Sequence, residues 1–238
     1  MPAARFFVDE TIAKGGEILL KGDEAHHLLR VMRATVGEEI ELINGTGILA
    51  KAVIKSLSKD TALCSVVDIH VSHKRPSIIL AQAIPRFNRL EYILEKATEL
   101  NVLEFWLFPA KLSEKAEFSK NQQERMQMLV IAAMKQSGRL DLPKIVMKPA
   151  LQHWKKQEGT ILFGDTREKA PYLWEAIKKP LETPSIFVIG PESGLHEKEV
   201  DFLENSLGAL GVKLHDNILR VDTAPVVALS LLQLELWV

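Results

Sequence analysis

Ser185-Ile-Phe-Val-Ile-Gly-Pro-Glu-Ser-Gly-Leu-His-Glu-Lys-Glu-Val200 is the stretch on which the reading of this chain turns. The apolar run Ile186 to Ile189 predicts a buried strand. Gly190-Pro191 ends it with a turn signal. After Gly194, the Glu197-Lys198-Glu199 cluster opens a helix. Strand, glycine turn and helix start in that order make a ligand site. Glycines let backbone come close to a bound molecule, and the first turn of a helix presents free N–H groups. No Gly-Lys-Ser/Thr follows, so this is not a Walker loop, and the dinucleotide fingerprint Gly-x-Gly-x-x-Gly is missing. Taken alone, the stretch is equally compatible with an ordinary strand-to-helix connection.

A second stretch, Leu214-His-Asp-Asn-Ile-Leu-Arg-Val-Asp-Thr-Ala-Pro225, adds apolar Ile218, Leu219 and Val221 to one arginine and two aspartates. It leads into a helix, with Thr223 expected as its cap and Pro225 in its first turn. Such a loop offers an apolar slot and backbone hydrogen bonds to a flat heterocycle.

Working outward, apolar runs alternate with helical patterns from Ser77 onward. Strands are expected at 78–84, 104–108, 144–147, 160–163, 186–189 and 212–214. Helices are expected at 88–100, 122–136, 172–178, 197–207 and from 226 to Trp237, with a short one near His153. This alternation predicts a largely parallel sheet covered on both faces. Ligands of such folds bind beyond the carboxyl ends of strands, so the loops after Phe163, Ile189 and Leu214 are the candidates. Residues 1–72 read differently, as short strands at 17–20, 39–43, 47–54 and 61–69 with one helix at 24–33. Asn44-Gly45 is a hairpin signal between the second and third strands. A small, mostly-β barrel is expected there, and Val71 to Pro76 is expected as a linker.

Composition narrows the class. The chain has 238 residues, 47% hydrophobic and 26% charged, a globular balance with room for two ordinary domains. A single cysteine, Cys64, allows no internal disulfide framework and sits in an alternating apolar run. The first ten residues lack the order of a signal peptide. The last apolar tract, 225–238, is too short to span a bilayer, and a cytoplasmic location is expected. The net charge of −1 gives no bulk reason to propose nucleic acid, so any RNA site must be a local patch. The seven histidines show no ligand spacing, and no metal is expected.

The pair Ile-Gly-Pro-Glu-Ser-Gly (189–194) and Ile-Leu-Arg-Val-Asp-Thr-Ala (218–224) resembles the knotted SPOUT methyltransferases. Within them it is most similar to the bacterial 16S ribosomal RNA uridine-N3 methyltransferases. The resemblance runs over the whole chain. Arg5-Phe6-Phe7 and His26-His-Leu-Leu-Arg-Val-Met-Arg33 resemble the family's PUA-like RNA-binding domain. Ala81-Gln-Ala-Ile-Pro-Arg86, Glu95 to Leu100, Glu124 to Met126 and Gln136 to Arg139 resemble its catalytic domain. The chain departs at Arg86 and Asn101, where lysine and glycine are usual. It departs again at Lys135, where an acid is common, at Ser193, where glycine is usual, and over His215-Asp-Asn217. Asparagine shares with glycine a tolerance of left-handed backbone.

The resemblance implies a PUA-like barrel over 1–72 and a SPOUT domain over 77–238 whose last third forms a trefoil knot. It implies a bent S-adenosylmethionine held by three C-terminal loops. Leu162, Phe163 and Gly164 would form one wall. Ile189, Gly190, Pro191, Glu192 and Gly194 would form the second, and Leu214, Ile218, Leu219, Thr223 and Ala224 the third. The apolar members suit adenine. Methylation at uridine N3 requires an unpaired base and loss of its proton. Arg220 is the candidate active-site cation, with a salt bridge to Asp222 or Glu192 as the alternative. Asp222 is a weaker candidate to accept the proton, and Glu192 to hold its loop.

Local positive charge is expected from Arg30 and Arg33 on one helical face, with Arg5 and His27 near. A further patch runs from Lys135 to Lys148, where four basic residues against Asp141 give 4 − 1 = +3. Arg139 belongs to it, and Arg86, Arg89 and Lys96 would add phosphate contacts. The apolar last helix is expected to be buried, within one chain or in a homodimer. Two alternatives stay open: the same class of enzyme acting on another RNA, and an RNA-binding protein with a degenerate pocket.

Overall fold

A computed structural model of the chain describes residues 4–72, 77–178 and 180–235. Part of the expected linker (73–76) and the expected end of the last helix (236–238) lie outside the described residues. The chain divides into two compact units, Met1–Arg75 with Met134–Leu142, and Pro76–Ala133 with Pro143–Val238.

The first unit carries β1 (Arg5–Phe7), β2 (Glu17–Leu20), β3 (Glu39–Ile43), β4 (Ile48–Leu57) and β5 (Ala62–Val71) in the order β1-β3-β4-β5-β2. β1 lies parallel to β3 and the other pairings are antiparallel. Alternation along β2, Glu out and Ile18 and Leu20 in, explains why it forms: one face meets the core around Phe6, Leu28, Leu42 and Ile54. Two register shifts in the β4–β5 ladder mark bulges, which bend a strand, and the sheet forms a half-barrel. The Asn44-Gly45 hairpin is present between β3 and β4. Asn44 Oδ1 accepts from the Thr46 N–H at 3.1 Å, and Gly45 has φ +75°. A Cβ on Gly45 would lie 2.6 Å from the Cβ of Leu142, so both conformation and packing demand glycine. Residues 134–142 add to this unit through backbone bonds from Gly47 N–H to the Leu140 carbonyl and from Leu142 N–H to the Gly45 carbonyl.

The helix expected at 24–33 is two pieces, α1 (Gly22–His26) and a π-type turn over His27–Met32. Arg33 lies beyond the turn at φ +56°, in the left-handed region. Arg30 and Arg33 therefore do not share a helical face, because the wider turn and the left-handed residue break the i, i+3 spacing.

The second unit is built on six parallel strands, β6 (Ile78–Ala83), β7 (Glu104–Phe108), β8 (Lys144–Met147), β9 (Ile161–Gly164), β10 (Ser185–Ile189) and β11 (Leu210–Val212). Their order is β11-β9-β10-β6-β7-β8. β6 and β10 are buried at every position, as strands covered on both faces must be. Each large apolar side chain so buried contributes roughly 1.5–3 kcal/mol. The helices are α2 (Phe87–Glu99), α3 (Lys120–Ser137), α4 (Leu173–Ala176), α5 (Glu197–Asn205) and α6 (Thr223–Glu235).

α2 buries Leu90, Ile93, Leu94 and Ala97, an i, i+3, i+4, i+7 stripe. It ends at Asn101, which takes φ +61° as its residue type allows. β11 starts and stops two residues earlier than expected, because its pairing with β9 ends at Val212 opposite Gly164. Leu214 is thereby released into the following loop. α6 buries Ala228, Leu229 and Leu232, but Leu234 stays 62% exposed. A single chain thus leaves part of this apolar helix uncovered. No helix among the described residues is long and apolar enough to cross a membrane.

Candidate active site

The carboxyl ends of β9, β10 and β11 lead into one cleft of about 970 Å³. Gly164, Gly194 and Leu219, one from each expected turn, all line it. Phe163, Ile189, Gly190, Pro191, Glu192, Leu214, Ile218, Arg220 and Ala224 line it as well. Leu162 does not: it is buried, and its side chain leaves β9 on the face opposite that of Phe163. Thr223 is exposed away from the cleft and is the first helical residue of α6, which leaves Asp222 at the cap position.

The first wall follows β9. The Asp165 N–H extends the pairing with β11 by donating to the Val212 carbonyl at 2.9 Å. The Asp165 side chain, nearly buried, receives Arg167 Nε at 2.8 Å, and Arg167 also pairs with Glu204. Asp165 first and Glu204 second hold the Arg167 guanidinium far above its ordinary value. Gly211 makes room for this carboxylate, since a Cβ there would lie 2.5 Å from Asp165 Oδ2 and 2.7 Å from the Phe163 ring.

The second wall is the turn after β10. A Cβ on Gly190 would meet Leu195 N at 2.9 Å, so the turn closes tightly on itself. Gln82 Nε2 donates to the Gly190 carbonyl at 3.2 Å, and the Gly194 N–H donates to the Pro191 carbonyl at 2.9 Å with φ +76° at Gly194. Glu192 Oε1 accepts the Arg86 N–H at 3.0 Å, which fastens the turn to the start of α2. His196 caps α5: its Nδ1 accepts from Lys198 N–H at 3.2 Å, while Glu199 accepts from His196 N–H at 2.9 Å. The other Glu199 oxygen accepts from Lys111 N–H at 2.9 Å.

The third wall is 213–221. Its departure from the family pattern builds a turn of its own. His215 Nδ1 accepts the Asn217 N–H at 3.0 Å, and the Tyr172 hydroxyl donates to Asp216. That bond to Asp216 raises the Tyr172 pKa. Ile218 is 83% exposed on the cleft rim, a large apolar side chain left almost bare among the described residues. Arg220 takes the Thr223 and Ala224 N–H groups on its carbonyl, both at 2.9 Å, so its backbone is fixed while its side chain is 68% exposed.

Arg89 of α2 also lines the cleft, and its Nη1 donates to Asp222 Oδ2 at 2.6 Å. Sequence reasoning placed it in a phosphate grip, and nothing in the spacing of α2 signals an ion pair across 133 positions. Asp165 was closer to legible, as it directly follows the expected Gly164 wall.

The basic clusters look different once paired. In the first unit, Arg5 is half-buried against Glu41 at 2.8 Å and Lys135 meets Glu24 at 2.7 Å. Burial lowers the Arg139 pKa to about 10, against the opposing pull of Asp141. His27, Arg30 and Arg33 are exposed there. In the second unit, Lys148 Nζ lies 3.9 Å from the centre of the Trp106 ring, and Lys96 pairs with Glu95 and Glu99. Arg86 pairs with Glu114 on the surface at 2.7 Å, which costs it little availability. Counting charge along 135–148 overstated the patch because sequence does not show partners. Among the described residues no three His, Cys, Asp or Glu side chains are placed to hold a metal ion.

Comparison with known proteins fits this geometry. A family model described as an RNA methyltransferase domain matches residues 73–233, and an RNA methyltransferase PUA domain matches 20–67. Ribosomal RNA small subunit methyltransferase E of Bacillus subtilis is 30% identical, over 95% of this chain and 94% of its own. The protein of that name from Rickettsia conorii is 26% identical, over 97% and 95%. The crystal structure of ribosomal RNA small subunit methyltransferase E from Neisseria gonorrhoeae bound to S-adenosyl methionine superimposes with a TM-score of 0.86, at 27% identity over 98% of this chain and 97% of that one.

Proposed function

The chain belongs to the RNA methyltransferase family, and from that premise we propose that it methylates N3 of a uridine in 16S ribosomal RNA with S-adenosylmethionine as donor. The convergence of three strand-end turns on one cleft carries this reading. The cleft suits the donor on its own terms. It is large enough for a small-molecule ligand, Gly164 opens into free space, and Gly190 and Gly194 offer backbone without side chains at the two ends of their turn. Phe163, Ile189, Leu214 and Leu219 would give adenine its apolar contacts. Ile218, otherwise bare, would gain cover. S-adenosylmethionine, when bound, supplies a methyl group already activated by its sulfonium charge.

The protein's own contribution is alignment and charge. Uridine N3 carries a proton on the Watson–Crick edge, so the base must be unpaired before it enters. As that proton leaves, negative charge grows on the uracil, and Arg220 on the cleft wall would stabilise it. Asp222 is committed to Arg89, which argues against it as the proton acceptor. Glu192 holds the turn after β10 rather than touching substrate.

The same reading takes 1–72 as the RNA-binding domain, with exposed His27, Arg30 and Arg33 as its contacts. It takes 77–238 as the methyltransferase domain. A trefoil knot is supported by the strand order, since the chain leaving β10 must pass β9 to form β11. A homodimer would cover Leu234, and also Tyr92 on α2, which packs against α6. A cytoplasmic protein fits a ribosomal RNA substrate. The test is nucleoside mass spectrometry on 16S RNA from small subunits incubated with the protein and labelled donor. A new 3-methyluridine is expected, dependent on Arg220. Labelled methyl appearing on another nucleoside, or none at all, would overturn the proposal.

A further inference from the structure

The start of α6 carries two arginines on one carboxylate, and the two are not held alike. Arg89 Nη1 lies 2.6 Å from Asp222 Oδ2. Arg220 Nε lies 3.9 Å from Asp222 Oδ1, beyond hydrogen-bond reach. Oδ1 is buried and has no hydrogen-bond partner among the described residues, while the Asp222 side chain is only 12% exposed. A buried acceptor without a donor is costly to leave unmade, so this oxygen is a standing attraction for the nearest cation. Arg220 has the freedom to answer it, since its side chain is exposed while its backbone is held by Thr223 and Ala224. Arg89 and Arg220 line the cleft, and Asp222 lies behind them.

We infer that Arg89 is a positioning residue for the reaction proposed above. It clamps Asp222 by one oxygen so that the other can seat Arg220 Nε when the cleft fills. The closure needed is about 1 Å, from 3.9 Å to an ordinary N–H···O distance. Once Nε is spent on Oδ1, the two terminal nitrogens of Arg220 are left in a fixed plane facing the cleft, as its fork geometry dictates. Without Arg89, Asp222 turns to Arg220 with both oxygens or swings away, and the fork loses its aim. The inference rests on the methyltransferase reading, and it concerns how Arg220 is held rather than whether the donor binds.

The experiment is a double-mutant cycle on the full chain, measuring methyl transfer to small ribosomal subunits at saturating donor. Arg89→Gln is expected to lower kcat by roughly 10- to 100-fold, the scale of an ångström-level misplacement. Its affinity for S-adenosylhomocysteine by calorimetry should stay within about twofold. Arg89→Lys should recover part of the loss, because a lysine can hold Oδ2 by a single point charge. In an Arg220→Ala background, Arg89→Gln should cost almost nothing more, because its whole effect passes through Arg220. A kcat within twofold of wild type, or losses that multiply in the double variant, would overturn the inference. Where Arg89→Gln does not fold by its melting curve, Asp222→Asn takes its place in the cycle with the same expected coupling. Wild-type protein that binds S-adenosylhomocysteine but transfers no methyl would instead sink the proposed function, and this inference with it.

Discussion

Gly164 separates the fold from the ligand cleanly, and replacing it by alanine tests the cleft without touching the sheet. Its φ lies outside the left-handed region, and a Cβ built there meets no atom within 4 Å. The free chain should accept the methyl without strain. By restricting the unfolded chain, alanine gains roughly 0.4–1 kcal/mol, which in a chain of this size raises Tm by about 1–4 °C. The bound state differs, because the space the methyl enters is the cleft itself. Overpacking of this kind costs about 1–3 kcal/mol, and at 1.4 kcal/mol per decade that is about 5- to 140-fold in affinity. The assay pairs a melting scan with a calorimetric titration of S-adenosylhomocysteine. Tm should hold or rise while the affinity falls. Unchanged affinity in a folded Gly164→Ala protein would mean that the donor does not approach this strand end, and the assignment of the first wall would be wrong.

Gly194→Val should weaken S-adenosylhomocysteine binding by at least tenfold in the same titration, because φ +76° at Gly194 is hostile to a β-branched residue; binding at wild-type strength would show that the turn tolerates rearrangement. Gly190→Ala should lower Tm, in contrast to Gly164→Ala, since its Cβ would press on Leu195 N at 2.9 Å; equal melting of the two variants would contradict the packing argument. Leu234→Glu should shift sedimentation from dimer to monomer, and a wild-type chain that sediments as a monomer refutes the proposed interface. Burial pushes the Cys64 thiol up to about 11 from 9.0. The folded chain therefore keeps that proton longer than the unfolded one, and the stability it contributes is full below pH 9 and lost between about pH 9 and 11. Melting wild type and Cys64→Ala from pH 8 to 11 should show the steeper decline in wild type; parallel curves would refute the assignment.

The strands of the second unit were legible because parallel strands covered on both faces read as unbroken apolar runs, as at Ile186 to Ile189. The cleft was legible because glycine and proline mark strand ends. What sequence hid was pairing between distant positions. Arg5, Lys135 and Arg89 each looked like free charge, and each is neutralised by a carboxylate 36, 111 or 133 positions away. The break after Met32 was hidden too, since a π-type turn leaves no separate apolar period in a ten-residue segment. Leu162 was drawn into the site by its neighbours Phe163 and Gly164, although a strand sends adjacent side chains to opposite faces.

Glu199 takes backbone donors from two separate crossings, Lys111 after β7 and His196 before α5, and Gln82 grips the Gly190 carbonyl. Both ends of the turn after β10 are thus tied down, and the Glu192 side chain adds a tether between them. A loosening of the turn that kept these bonds would fall between Gly190 and His196. Entry of a donor by that route would leave the underlying strands paired, a local event rather than a partial unfolding.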